Sequence, residues 1–293
     1  MFENIITEVC SSPLLMRQSA VQSLELLLYK AITGEKTESD HKPITKYASI
    51  SVPDISSEGN PYDSFQENSI AAIPIIGSML KYGSWWTGPG MDYYANLLRL
   101  ADSSENIIGS ILVFNTPGGS TQSIIQFEDA LRNRTKPCIA FIDGMCCSAG
   151  IYLASLCDHI IAINPMCEIG SIGVQATLRD ISVMLERWGI KEEVIRPPES
   201  KFKNTEFDEA LNGNHERLIK EYLTPFAIHF QNIIKENRSG LDLSVEGLLE
   251  GKVFYAYDAV KNGLIDSIGN INDVINMIGK LHNEKKQFYS QLN

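Results

Sequence analysis

The chain has no apolar run long enough to cross a membrane, no basic stripe and no cysteine spacing that would hold a metal. Its 25 Lys and Arg stand against 36 Asp and Glu, and the net charge of −11 is spread along the chain. That balance argues against a nucleic-acid partner, whose phosphates need clustered cations. Histidine is scarce: His41, His159, His215, His229 and His282 are the five, and none sits in a recognisable catalytic context. Most of the six cysteines (Cys10, Cys138, Cys146, Cys147, Cys157 and Cys167) lie in apolar runs, where cysteine serves as a small hydrophobe. Neither a metal nor a cofactor is expected. Met1–Glu8 is acidic where a signal peptide would be basic, so a cytoplasmic protein without a membrane anchor is expected.

What is present fits a soluble enzyme-sized chain. At 293 residues and 44% hydrophobic, one large domain or a domain with an appendage is expected. Residues Ser12–Thr33 read as an amphipathic or largely buried helix carrying Leu14, Leu15, Val21, Leu24, Leu27 and Leu28. Gly34–Asn68 is polar and reads as a linker. From Ser69 strands alternate with helices: Ile70–Ile76, a helix near Met91–Ala101, Ile108–Phe114, a helix near Gln122–Asn133, then Cys138–Ile142. Helical patterns also cover Asn214–Asn237, Ser244–Leu249, Ala256–Asn262 and Ile271–Leu281. This order predicts an α/β fold with a parallel sheet built from βαβ crossovers. The boundaries are residues 1–68 for the helix and linker, 69–281 for the main domain and 282–293 for a polar tail.

Three junctions stand out. Pro137–Ile142 is an apolar strand leading into Asp143-Gly-Met-Cys-Cys-Ser-Ala-Gly-Ile-Tyr-Leu-Ala154, which places Ser148 where a strand hands over to a small-residue helix. Such a serine reads as a helix cap or as a reactive group beside amides able to hold an oxyanion. Ile107–Phe114 ends in Asn115-Thr-Pro-Gly-Gly-Ser120, a tight turn whose backbone can approach a ligand. Asp158–Pro165 leads into Gly170-Ser-Ile-Gly-Val174.

Together these blocks resemble the signal peptide peptidase A (S49) family of serine proteases, with its ClpP/crotonase-like fold. Leu249–Ile268, containing Gly251-Lys-Val-Phe and Gly263-Leu-Ile-Asp266, is similar to the family's closing segment. The resemblance spans roughly residues 69–280. The compact length and missing anchor look more like the branch that matures the heads of tailed phages, which would place the protein in the host cytoplasm or a virion precursor.

The resemblance implies a serine endopeptidase in which Ser148 is the nucleophile and a lysine the base. A lysine accepts a proton only when neutral, which burial favours. The matching run Glu199-Ser-Lys-Phe-Lys-Asn204 assigns the base to Lys203, although Ser200 replaces the usual glycine and Lys201 competes from two residues earlier. The amides of Gly119 and Ala149 would form the oxyanion hole, and Ser171 would orient the lysine. Gly118, Gly170, Ile172 and Gly173 would hold substrate, with Gly170–Val174 pairing to it as an added strand. Cys146 and Cys147 are the competing nucleophiles, since a thiol at a helix start can be acidified. The family further implies a homo-oligomer, in some relatives with the lysine supplied by a neighbouring subunit, and capsid, scaffold or portal proteins as substrates in the phage branch. The rivals are a signal-peptide-degrading peptidase, a crotonase-type acyl-CoA enzyme and an inactive scaffold of the same fold.

Overall fold

A computed structural model describes residues 14–16, 20–21, 46–47, 50–51, 59–83, 88–178, 180–191 and 193–292. Strand β1 is Leu14–Met16, and β2 (Lys46–Tyr47) and β3 (Ile50–Ser51) form a small antiparallel pair. In chain order there follow β4 (Ser69–Ile76), β5 (Ile107–Thr116), β6 (Gly118–Ser120), β7 (Cys138–Cys147), β8 (His159–Ala162), β9 (Glu168–Gly170), β10 (Val253–Tyr255) and β11 (Ser267–Ile268); β6 forms a two-stranded sheet with β1, and the other seven make up the main sheet. Across that sheet the order is β10-β9-β7-β5-β4, with β8 and β11 branching from the first half of β7. β4, β5, β7, β8 and β9 pair in parallel, and only β10 joins β9 antiparallel. The expected α/β fold with a parallel sheet is what forms.

The central strands are apolar on both faces because both faces are covered. Leu112, Phe114, Ala140 and Ile142 point into one core, and Ile111, Val113, Ile139 and Phe141 into the other. The first core is closed by α1 (Met91–Ser103), α2 (Ile125–Arg132) and α3 (Ala149–Ser155). In α1 the buried residues Met91, Tyr94, Ala95, Leu98 and Ala101 recur every three or four positions, the spacing of one helix face. The chain continues through α4 (Ser182–Arg187), α5 (Thr205–Leu211), α6 (Thr224–Asn237) and α7 (Ala256–Lys261) to α8 (Ile271–Leu292), which covers the second core with Val274 and Ile278.

Several expectations shift. Leu14–Met16, expected to open a helix, is a strand; Ala20 and Val21 are helical, and the rest of the expected Ser12–Thr33 helix lies outside the described residues. Within the expected linker, Tyr62 is fully buried and stacks edge-on with Phe65, so the folded body starts before Ser69. Ser244–Leu249 forms successive turns instead of a helix. The Asp242 carboxylate accepts from the Ser244 amide at 3.0 Å and from its hydroxyl at 2.6 Å, and Gly247 follows at φ 75°. Such side-chain-to-backbone bonds compete with helix formation. Residues 282–292, expected as a tail, continue α8, with Lys285 Nζ donating to the Thr135 carbonyl at 3.0 Å.

Candidate active site

β7 delivers Ser148. Its first half pairs with β8, its last three residues pair with β9, and the strand ends one residue before the serine. Ser148 is only 1% exposed and sits at φ 53°, ψ −114°, a conformation that residues other than glycine rarely hold. Such strain, of order 1–3 kcal/mol, persists where surrounding structure over-determines it. Here the Ser148 amide donates to the Gly170 carbonyl at 2.8 Å, and its own carbonyl accepts from the Tyr152 amide at 3.0 Å. The hydroxyl donates to the Gly173 carbonyl at 3.4 Å. Gly150 lets α3 start this close to β5, since a Cβ there would lie 2.6 Å from Thr116 Cγ2.

Strand β6, which carries Gly118 and Gly119 just after Pro117, forms the opposite wall. Gly118 adopts φ 102° and donates to Thr116 Oγ1 at 3.1 Å, while Thr116 Oγ1 donates to the Gly77 carbonyl at 2.6 Å. A Cβ on Gly118 would collide with the Leu15 carbonyl oxygen and come within 2.9 Å of Ser148 Cβ. Gly119 packs its Cα against the Met79 backbone, where a side chain has no room. On the far wall Gly170 takes φ 121° and Ser171 φ 55°, with the Ser171 amide donating to the Lys252 carbonyl at 2.8 Å. Ile172 is buried in the core and Gly173 turns back toward Ser148.

The fold therefore gathers Ser148, Ala149, Gly170 and Gly173 around one cleft, with Gly118 and Gly119 both on β6 along it. Lys203 is not part of that group. It lies exposed in the turn before α5, and among the described residues no hydrogen bond or ion pair joins it to Ser148. Lys201 is placed differently: its ammonium sits 4.9 Å from the Phe202 ring centroid, a cation–π contact. Among the described residues no histidine is hydrogen-bonded to Ser148. His229 Nε2 meets the Tyr152 hydroxyl at 3.1 Å, the same hydroxyl that donates to Glu128 at 2.7 Å, and this network anchors α3 behind the serine. His159 contacts the Asp158 carbonyl. His41 lies outside the described residues.

The neighbouring thiols are buried. Cys146 is completely buried, and burial, followed by the neighbouring Cys147 and Cys167, pushes its thiol well above the ordinary range. That is the environment of an inert structural cysteine. Cys147 is buried too, with its sulfur 3.8 Å from the Glu168 carbonyl. Cys138, Cys157 and Cys167 are likewise buried free thiols, and Cys10 lies outside the described residues. Among the described residues no group of three or more His, Cys, Asp or Glu side chains is placed to hold a metal ion. None of the described helices is long and apolar enough to cross a membrane.

One feature of the cleft was not expected from the sequence. β1 lies in it, antiparallel to β6, with Leu14 opposite Ser120, Leu15 opposite Gly119 and Met16 opposite Gly118. On its other edge the Leu14 amide donates to the Gln175 carbonyl at 2.9 Å and the Gln175 amide to the Leu14 carbonyl at 3.1 Å. Nothing local in Leu-Leu-Met marks it as a strand.

The chain is 27% identical over 222 residues to Protease 4 of Haemophilus influenzae, covering 75% of this chain and 36% of that protein. It is 25% identical over 217 residues to capsid assembly protease C of Escherichia phage lambda, covering 72% of this chain and 49% of that one. The chain thus spans between about a third and a half of the length of these curated relatives. Among solved structures it is similar to the 1510-N membrane protease specific for a stomatin homolog from Pyrococcus horikoshii, at 16% identity and a TM-score of 0.44, covering 72% of this chain and 79% of that one. Residues 130–285, more than half of the sequence, match the profile of peptidase family S49, and the chain belongs to that family.

Proposed function

We propose that the protein is a serine endopeptidase of ClpP/crotonase-like architecture in which Ser148 attacks the scissile carbonyl and Lys203 of a neighbouring copy acts as base. The observation that carries this reading is the strained, buried Ser148 in a cleft where β1 of the same chain lies as an added strand. Adding a strand satisfies a substrate's backbone groups regardless of sequence, while the pockets for alternate side chains select it. Gly119 and Ala149 are proposed to supply the oxyanion amides and Ser171 to orient the lysine. Room for a peptide strand favours a peptidase over an acyl-CoA enzyme of the same architecture.

The segment that carries Lys203 supports assembly. Ile181, Val183, Trp188, Ile190, Val194 and Ile195 are all exposed along it, Trp188 by 67% and Ile195 by 84%. These exposed apolar side chains are the surface proposed to meet a second copy. A second copy covering it would take the lysine out of water beside the neighbour's cleft, the condition under which a lysine serves as a base. Phage-head maturation, expected from the chain's length, draws on the lambda protein alone among the relatives described, beside a bacterial relative of similar identity. The proposal is therefore the activity, cleavage of extended apolar segments, without a capsid substrate attached to it.

Peptide hydrolysis by Lys203→Met and Lys201→Met tests the dyad. The first variant is expected to be inactive while assembled and folded, and the second active. A mixture of Ser148→Ala and Lys203→Met chains is expected to regain part of the activity if the dyad spans two copies. An active Lys203→Met enzyme overturns the assignment of the base.

A further inference from the structure

We propose that this chain is its own first substrate: β1 lies in the cleft as a cleavable strand, and Ser148 cuts the Leu15–Met16 bond to open the groove. The proposal rests on the peptidase reading above and adds a substrate and a means of control to it.

The register comes from backbone hydrogen bonding. On one edge of β6 the Met79 amide donates to the Gly118 carbonyl at 2.9 Å, and the Ser120 amide donates to the Met79 carbonyl at 3.0 Å. Backbone groups alternate in direction along a strand, so the Gly119 amide faces the opposite edge, where β1 runs. The same alternation applies to β1. Leu14 turns both its backbone groups to Gln175, which leaves those of Leu15 facing Gly119. The Leu15 carbonyl thus points toward the amide proposed as an oxyanion donor. The space that a Cβ on Gly118 would need is bounded by this carbonyl oxygen and by Ser148 Cβ, so the two crowd one spot.

Side-chain burial matches a substrate. Leu14, Leu15 and Met16 are 4%, 2% and 4% exposed, and Leu15 belongs to the main core. The groove therefore takes three consecutive apolar side chains, which also defines the class of external peptide it would accept.

The reaction balances as an ordinary acyl transfer. Ser148 Oγ bonds to the Leu15 carbonyl carbon and its proton passes to the base. The C–N bond to Met16 breaks, and the base returns the proton to the Met16 nitrogen. Water then attacks the Leu15 ester, giving up a proton to the base; the Leu15 carboxylate leaves and Ser148 regains its hydroxyl. Because Lys203 is not bonded to Ser148 within one chain, the strand stays intact and blocks the groove until a neighbouring copy supplies the base.

The test follows full-length wild type and Ser148→Ala by intact mass and N-terminal sequencing, alongside hydrolysis of casein and labelling with a serine-directed fluorophosphonate. Wild type is expected to convert to a species beginning at Met16, with a lag in casein hydrolysis that matches the loss of residues 1–15. Ser148→Ala keeps them, and Leu15→Asp, which puts a charge where Leu15 is buried, slows the conversion at least tenfold. A wild type that digests casein while retaining residues 1–15, or that is cut at another bond, overturns the proposal and leaves the peptidase reading standing. A wild type that neither digests casein nor takes the label overturns both.

Discussion

Replacing Gly119 by alanine separates the backbone amide from the side chain it must not carry. A Cβ at that position would lie 2.6 Å from Met79 Cβ and closer still to the Met79 carbonyl. Carbon atoms pack at about 3.5–4.0 Å, so β6 and the Met79 backbone must part by at least roughly 1 Å. The two hydrogen bonds that Met79 makes to Gly118 and Ser120, at 2.9 and 3.0 Å, resist that movement. Overpacking of this kind costs about 1–3 kcal/mol. The displacement also moves the Gly119 amide, and a misplacement of about 1 Å lowers a rate by roughly 10²-fold, similar to the loss of one oxyanion donor. Gly119→Ala is thus expected to fold with a lower Tm and to lose about 10²-fold in kcat with little change in KM. Gly173→Ala is the control. Its Cβ would meet nothing nearer than Gly251 Cα at 3.8 Å, so its stability should stay within about 0.5 kcal/mol of wild type. Thermal unfolding and peptide hydrolysis of both variants measure the two effects. Wild-type kcat and Tm in Gly119→Ala would refute the packing argument and the donor assignment together.

Ser148→Gly is expected to be inactive yet at least as stable as wild type, because relief of about 1–3 kcal/mol of backbone strain offsets the roughly 0.5–1 kcal/mol entropic cost of glycine; a lower Tm than that of Ser148→Ala contradicts this. The Arg238–Asp266 pair, two charge-assisted bonds of 3.0 and 2.9 Å, ties α6 to the start of β11. Arg238→Met should lower stability by about 1.5–3 kcal/mol, read by urea unfolding. Burial opposes ionisation of Asp266, but the Arg238 bonds, the Ile160 amide and nearby positive charge outweigh it and hold the carboxyl below its ordinary value. The stability it contributes is therefore full above the unfolded value of about 3.9 and is lost as pH falls through the lower folded value. Arg238→Met should flatten that acid-side loss, whereas an unchanged slope would assign it to other carboxylates.

The parts of the fold legible in the sequence were those whose local pattern and tertiary environment agree. Ile-Leu-Val-Phe114 and Cys-Ile-Ala-Phe-Ile142 are apolar on both faces because helices cover both sides of the sheet, so their composition alone identified buried strands. The close approach at Gly118 and Gly119 was legible because no side chain fits there, but the two glycines form strand β6 and not the expected turn. β1 was not legible. Leu-Leu-Met continues a helical pattern, and what makes it extended is a cleft assembled from residues more than a hundred positions away. Ser244–Leu249 failed for the opposite reason, a local Asx bond that outcompetes helical hydrogen bonding. The neighbourhood of Ser148 was legible because the serine lies at a strand end with glycine-rich segments beside it, whereas Lys203 lies on an exposed segment with no hydrogen bond or ion pair to Ser148 among the described residues.

The central claim, that Ser148 is the nucleophile, is tested most directly by treating the full-length protein with a fluorophosphonate and mapping the adduct by peptide mass spectrometry. A single adduct on Ser148, absent from Ser148→Ala and from Lys203→Met, is the predicted result. Peptide cleavage by a protein whose Ser148 remains unmodified, or an adduct on Cys146 or Cys147 instead, would contradict it.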